Sequence, residues 1–142
     1  MPLIDSQESE REFSRTLSEP VFASKEENIN EHWDVMDEST GYRYDVKAMK
    51  KRRRHDQDVN KELHWIELIN VKGNAGWLYG NATHIVFEYG STWVVVDRAV
   101  LSKHIDHLEQ VEVRTRYGRK DKIVAVKTID LIILSDNVIK KA

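Results

Sequence analysis

Asp45, Lys47 and Glu67 are residues of the types that handle phosphodiester bonds. Asp45 lies in the run from Tyr42 to Met49. Its alternation puts Tyr42, Tyr44, Val46 and Ala48 on one face of a strand and Arg43, Asp45, Lys47 and Met49 on the other. Glu67 lies in the run from Leu63 to Val71. This stretch lacks strict alternation, which predicts a central strand buried on both faces. A lone carboxylate in a buried strand is costly unless it is paired or bound to a metal. Two on neighbouring strands repel, and a divalent cation relieves the repulsion. Carboxylate oxygens suit Mg2+ or Mn2+. Such a site positions water and neutralises charge developing on a phosphate. Lys47, two residues after Asp45, shares its face. Its ammonium can hold the attacking water or stabilise the transition state.

Five consecutive cations, Lys50, Lys51, Arg52, Arg53 and Arg54, follow this strand. Contacts of this kind grip phosphates without reading sequence, and they weaken with salt. Lys72 and the later cations Arg114, Arg116, Arg119, Lys120 and Lys122 extend the same expected track, with Lys72, Arg116 and Arg119 as its named contacts. The net charge of −2 conceals a split. Residues 1–40 carry 3 basic and 11 acidic side chains, whereas residues 41–142 carry 19 basic and 13 acidic. An acidic lead before a basic body points to an anionic partner for the body.

The 142 residues suit one domain, 8–142, behind an unstructured segment, 1–7. There is no cysteine, so disulfides, thiolate metal sites and cysteine nucleophiles are excluded. The N-terminal stretch is acidic and lacks the apolar centre of a secretory signal, and the apolar runs are too short to span a bilayer. A cytoplasmic location and no membrane partner are expected.

The elements that must position these residues are short. A helix is expected over 8–17, where Phe13 and Leu17 share a face, and a second over about 25–32, because Ser24 and Glu27 have capping-box spacing. Trp33 to Asp37 and Tyr42 to Met49 read as a hairpin across Ser39-Thr40-Gly41. His84 to Glu88 and Thr92 to Val96 read as another, around Tyr89-Gly90-Ser91. Asp97 caps a helix over 98–109, with Val100, Leu101, Ile105 and Leu108 on one face. Val111 to Tyr117 and Lys122 to Lys127 form a third, C-terminal hairpin, and Ile129 to Leu134 is a last apolar strand or helix. The fold class is therefore α+β, a mixed β-sheet with two or three helices.

Other groups have plainer readings. His55, Asp56 and Asp58 fall in a polar loop, and His104 and His107 flank an amphipathic face as surface residues. Gly73-Asn74-Ala75-Gly76 lacks the Gly-Lys-Ser/Thr ending of a phosphate loop. Trp65, Trp77 and Trp93 read as core anchors. No serine stands in a Gly-x-Ser-x-Gly setting.

Tyr44-Asp45-Val46-Lys47, followed after 22 residues by Glu67 within His64-Trp65-Ile66-Glu67-Leu68-Ile69-Asn70, resembles the PD-(D/E)XK nuclease superfamily. The run Gly76-Trp77-Leu78-Tyr79-Gly80 and the strand after it resemble its small phage-type members. The resemblance covers roughly residues 8–100. It implies a restriction-endonuclease-like αβββαβ core, with an aspartate ending one strand, an acid-x-lysine triplet on the next, and often a glutamate from the first helix. Asp45 and Glu67 would then be metal ligands, Lys47 the catalytic lysine, and Glu10 the accessory acid among Glu8, Glu10 and Glu12. Ile69 occupies the position two after Glu67 where the family has lysine, so Lys47 from the neighbouring strand, whose face already carries Asp45, or else Lys72 would fill that role, or the site is dead. A shifted pattern, with Asp34 as first acid and Asp45-Val46-Lys47 as the triplet, keeps the lysine in place and leaves Glu67 as an extra.

The resemblance implies a nuclease dependent on Mg2+ or Mn2+, acting on nucleic acid, with DNA the leading substrate and a homodimer as a common assembly. The setting it implies is the cytoplasm of a prokaryotic or phage-infected cell. The other reading is a catalytically inactive nuclease-fold module that binds nucleic acid or a protein partner, favoured by Ile69. A third is a protein-binding phage accessory factor whose acidic N-terminal segment mimics nucleic acid.

Overall fold

The computed structural model describes the backbone of residues 5–48, 63–69, 80–108, 111–114 and 120–141, and the side chains of 7–48, 80–108 and 124–141. The element order is α1 (Asp5–Ser14), β1 (Pro20–Phe22), α2 (Lys25–Glu31), β2 (Val35–Asp37), β3 (Tyr42–Lys47) and β4 (Leu63–Ile69). It continues with β5 (His84–Tyr89), β6 (Thr92–Asp97), α3 (Arg98–Ile105), β7 (Val111–Arg114), β8 (Lys120–Lys127), α4 (Thr128–Leu134) and β9 (Asn137–Lys140). The fold is α+β, with four helices among the described residues rather than two or three. The first helix begins at Asp5, inside the segment expected to be unstructured.

A mixed sheet of six strands runs β1-β2-β3-β5-β6-β9, and a smaller sheet runs β4-β8-β7. In the larger sheet only β3 and β5 are parallel; its other pairs are antiparallel. The chain leaves β3 and returns alongside it as β5, forming β4 on the way. Among the described residues β4 pairs with β8 and lies at the edge of the second sheet rather than in a central position. β7 and β8 pair antiparallel, and the turn between them lies outside the described residues.

Local chemistry sets most of these elements. Ser24 and Glu27 close a full capping box on α2: the Ser24 side chain accepts from the Glu27 amide, and the Glu27 carboxylate accepts from the Ser24 amide. The Asp97 carboxylate accepts from the amides of Ala99 and Val100 at the start of α3. β5 and β6 register Tyr89 opposite Thr92, leaving a two-residue loop of Gly90 and Ser91. Gly90 has φ +56°, the left-handed conformation such loops demand. The apolar stretch after Lys127 resolves as α4, and the chain then adds β9 to the sheet edge, an element absent from the sequence reading.

Alternation along β3, β5 and β6 divides the core in two. Phe13, Val35, Tyr44, Val46, Val86, Trp93 and Val95 pack together on the face covered by α1. Trp33, Ile85, Phe87, Val94, Val96, Leu101, Ile105, Val124, Val126 and Leu131 pack on the other, which joins the larger sheet to α3, α4 and β8. Phe13, fully buried, anchors α1 by edge-on contacts with Tyr44 (centroids 5.2 Å apart) and Trp93 (5.6 Å). Among the described residues no helix is long and apolar enough to cross a membrane.

Candidate active site

Four of the residues named from sequence converge. Asp34 lies one residue ahead of β2, Asp45 and Lys47 lie on β3, and Glu10 lies on α1. The β2–β3 hairpin supplies the first contact. Asp34 donates its amide to the Tyr44 carbonyl (2.8 Å), and its Oδ2 accepts the Val46 amide (2.7 Å). The Asp34 carboxylate is therefore fixed beside Asp45 by the backbone on either side of it. Its other oxygen, Oδ1, accepts from Asn28 Nδ2 at 2.6 Å, and the same amide group donates to the Trp33 carbonyl at 3.0 Å. Because both partners are pure acceptors, the Asn28 side chain can face them only through its nitrogen. The α2 capping box thus has a second effect: it fixes the turn of helix that carries Asn28.

Glu10 and Asp45 each lie close enough to Asp34 to be perturbed by it, and Glu10 is perturbed by the charge of Asp45 as well. Lys47 Nζ lies 3.2 Å from Asp45 Oδ1. Both flanking acids are strongly perturbed. Burial pushes the Glu10 carboxyl up to about 7, helped by the charge of Asp34, the hydrogen bond to it and the charge of Asp45, and opposed by Lys47. Asp45 is also pushed up to about 7, by burial first; Lys47 opposes the rise, and the charge of Asp34 and its hydrogen bond add to it. Burial and like charge thus raise both Glu10 and Asp45 despite the Lys47 ammonium 3.2 Å from Asp45.

The environment of Asp37 shows what a purely structural acid looks like in this protein. Its carboxylate accepts from the amides of Ser18 (3.3 Å), Glu19 (3.2 Å) and Ser39 (3.0 Å), and from the Ser39 hydroxyl (2.7 Å). These bonds, the Ser39 hydroxyl first, hold it below the ordinary carboxylate range. Asp34 accepts from Val46 and Asn28, and Asp45 pairs with Lys47, but both also face other acids.

Glu10, Asp34 and Asp45 are of the donor type that a hard divalent cation takes, but among the described residues the ligand atoms that gather within 4.8 Å of one another are those of His84, Asp97 and Asp136. Glu10, Asp34 and Asp45 offer only oxygen, and a cation there would compete with the protons that the raised Glu10 and Asp45 carboxyls favour.

The remaining sequence expectations divide in two. Glu67 lies on β4, whose partner is β8, so it is not on a strand neighbouring Asp45 as expected. The neighbours of β3 are β2 and β5, which is why Asp34 rather than Glu67 stands beside Asp45. The Glu67 side chain lies outside the described residues. So do Lys50, Lys51, Arg52, Arg53, Arg54, Lys72, Arg116 and Arg119, and the loop residues His55, Asp56 and Asp58. His104, expected at the surface, is half-buried, and its Nε2 is buried without a hydrogen-bond partner among the described residues. Trp93 is a core anchor as expected, and Trp33 is equally buried, with the Arg43 guanidinium over its ring. The role of Asn28 had no sequence signal, because an asparagine within a short polar helix resembles any solvated residue.

No family model, curated protein or solved structure matches the chain.

Proposed function

We propose that the chain is a metal-dependent phosphodiesterase that cleaves nucleic acid, with DNA as the leading substrate. The observation that carries this reading is the convergence of Glu10, Asp34 and Asp45 with Lys47, two residues beyond Asp45 on the same strand. The pattern is an acid at a hairpin start, an acid-x-lysine triplet on the next strand and a glutamate from the first helix. The order of elements supports it: α1, then β1, β2 and β3 in antiparallel succession, then β5 parallel to β3.

Glu10, Asp34 and Asp45 would hold Mg2+ or Mn2+. When bound, the ion would supply Lewis-acid neutralisation of the phosphate and lower the pKa of a bound water. The chain itself contributes position and charge. The Val46 amide and Asn28 hold Asp34 in place, and the packing of Phe13 holds the helix that carries Glu10. Lys47, partly open to solvent, can orient the attacking water or donate to a phosphate oxygen as negative charge develops there. Binding energy for the nucleic acid would come from the run Lys50 to Arg54, which follows β3 in sequence.

The inactive-module reading drew its force from Ile69 in the lysine position. With Asp45-Val46-Lys47 as the triplet, Ile69 carries no such weight.

Cleavage of end-labelled single-stranded, double-stranded and branched DNA, and of RNA, with Mg2+, Mn2+ or EDTA tests the proposal. Cutting of at least one DNA substrate is expected with metal and none with EDTA. Folded protein that cuts nothing under any metal condition would overturn it.

A further inference from the structure

We propose that His84, Asp97 and Asp136 form a second divalent-cation site, of the kind that takes zinc, on the opposite face of the larger sheet from Asp45. His84 opens β5, and Asp97, directly opposite it in the antiparallel register, closes β6. Asp136 immediately precedes β9 and is fixed there by its amide, which donates to the Val95 carbonyl at 2.8 Å. One ligand atom from each residue lies within 4.8 Å of the other two, and His84 Nε2 is 3.1 Å from Asp136 Oδ2. Ligands at zinc's usual ~2.0–2.2 Å, set tetrahedrally, stand roughly 3.3–3.5 Å apart, so this pair is close to binding distance without rearrangement. One imidazole nitrogen with two carboxylates is a donor set for a borderline ion, unlike the all-oxygen set of Glu10, Asp34 and Asp45.

The second ring nitrogen supports the same reading. His84 Nδ1 lies 2.9 Å from Thr83 Oγ1. That hydroxyl oxygen accepts the Arg43 amide at 2.9 Å and is placed to donate to the Arg43 carbonyl at 2.9 Å. With its one proton on that carbonyl, Thr83 would accept from Nδ1–H. Nε2 is in hydrogen-bond contact with Asp136 Oδ2 at 3.1 Å, so an ion would enter in place of the proton that this pair shares, at a histidine already oriented by a hydrogen bond on its far nitrogen.

The surroundings suit an ion that staples secondary structure. The imidazole is buried and walled by the rings of Tyr42 (centroids 4.7 Å apart) and Tyr44 (5.5 Å). Asp97 Oδ1 is held by the cap of α3, and the Asp136 side chain is 52% exposed, leaving a solvent-side position open. A bound ion would tie the segment ahead of β9 to β5 and β6. His84 pairs with Tyr44 and so shares its face, whereas Asp45 projects the other way. The two sites are therefore separable by mutation.

Zinc titration of the full-length protein, with Co2+ absorption as a spectroscopic probe, tests the site. Asp136→Ala changes an exposed side chain, and circular dichroism melting would check that the variant folds. In an Asp45→Asn background, which removes the Glu10–Asp34–Asp45 site from the titration, zinc binding should persist, and adding Asp136→Ala should make it at least about tenfold weaker. Long-range proton–nitrogen NMR of zinc-loaded protein should show the His84 proton on Nδ1. No zinc binding by the Asp45→Asn protein, equal binding once Asp136→Ala is added to it, or a proton on Nε2 in the zinc-loaded protein would each overturn the proposal.

Discussion

Lys47 Nζ lies 3.2 Å from Asp45 Oδ1, so the acid and the base of the triplet face one another across a single intervening residue of β3. The pairing has two effects. It offsets part of the burial that holds the Asp45 carboxyl at about 7, and it keeps an ammonium beside the carboxylates without a long loop to order. Lys47 is partly exposed, so its loss should leave the core intact. Lys47→Met is expected to lower the cleavage rate by roughly 10²–10⁴-fold, the range for removing one positioned catalytic group. Its melting temperature should stay near that of wild type. Single-turnover kinetics beside thermal melting checks both halves.

Asp34 is expected to be structural as well as catalytic. Asp34→Ala leaves the buried Val46 amide without its 2.7 Å acceptor, at a cost of about 1–3 kcal/mol. Asp34→Asn keeps an oxygen for that amide and should cost less. It should still abolish cleavage, because the carboxylate between Glu10 and Asp45 is gone. Urea unfolding of the two variants separates the contributions.

Metal-free protein should lose stability as the pH rises. Glu10 and Asp45 ordinarily ionise at 4.5 and 3.8 but are held at about 7 in the folded chain. Between those limits the folded state carries more protons than the unfolded one. Their stabilising contribution is therefore complete below the unfolded values and is lost as the pH rises through about 7. In EDTA, the melting temperature attributable to these groups should be higher at pH 5 than at pH 8, and Glu10→Gln should flatten the difference. Mg2+ should stabilise more at pH 8, and its binding near pH 6 should release protons. Calorimetry in buffers of different ionisation enthalpy would measure that release.

The basic run after β3 should act through phosphate charge. Replacing Lys50, Lys51, Arg52, Arg53 and Arg54 with glutamine is expected to reduce the slope of log affinity against log salt by about 4.5 for duplex DNA, if each cation makes one phosphate contact. Affinity should fall on all sequences alike. Filter binding between low and moderate salt provides the measurement.

Much of this framework was legible in the sequence where one residue decides a local event. The capping box of Ser24 and Glu27, the cap from Asp97 and the Gly90 turn are chemical requirements of a few adjacent atoms, and they stand as expected. The pairing of distant strands was not legible. An apolar run such as Leu63 to Ile69 has the same composition whether it pairs with β3 or with β8, and only the chain's return along β5 excludes the first. That single pairing moved the expected partner of Asp45 from Glu67 to Asp34. The shifted pattern had carried a usable signal, an uninterrupted acid-x-lysine triplet. Glu10 entered only through the resemblance, because nothing in a polar helix distinguishes one glutamate from its neighbours.

The most direct test compares single-turnover cleavage in Mn2+ by wild type, Asp34→Asn, Asp45→Asn and Glu67→Gln. Wild type and Glu67→Gln should cut at similar rates, while Asp34→Asn and Asp45→Asn should be inactive though folded. Loss of cutting in Glu67→Gln with activity retained in Asp34→Asn would contradict the site built around Asp34, and wild-type protein that cuts nothing would contradict the nuclease itself.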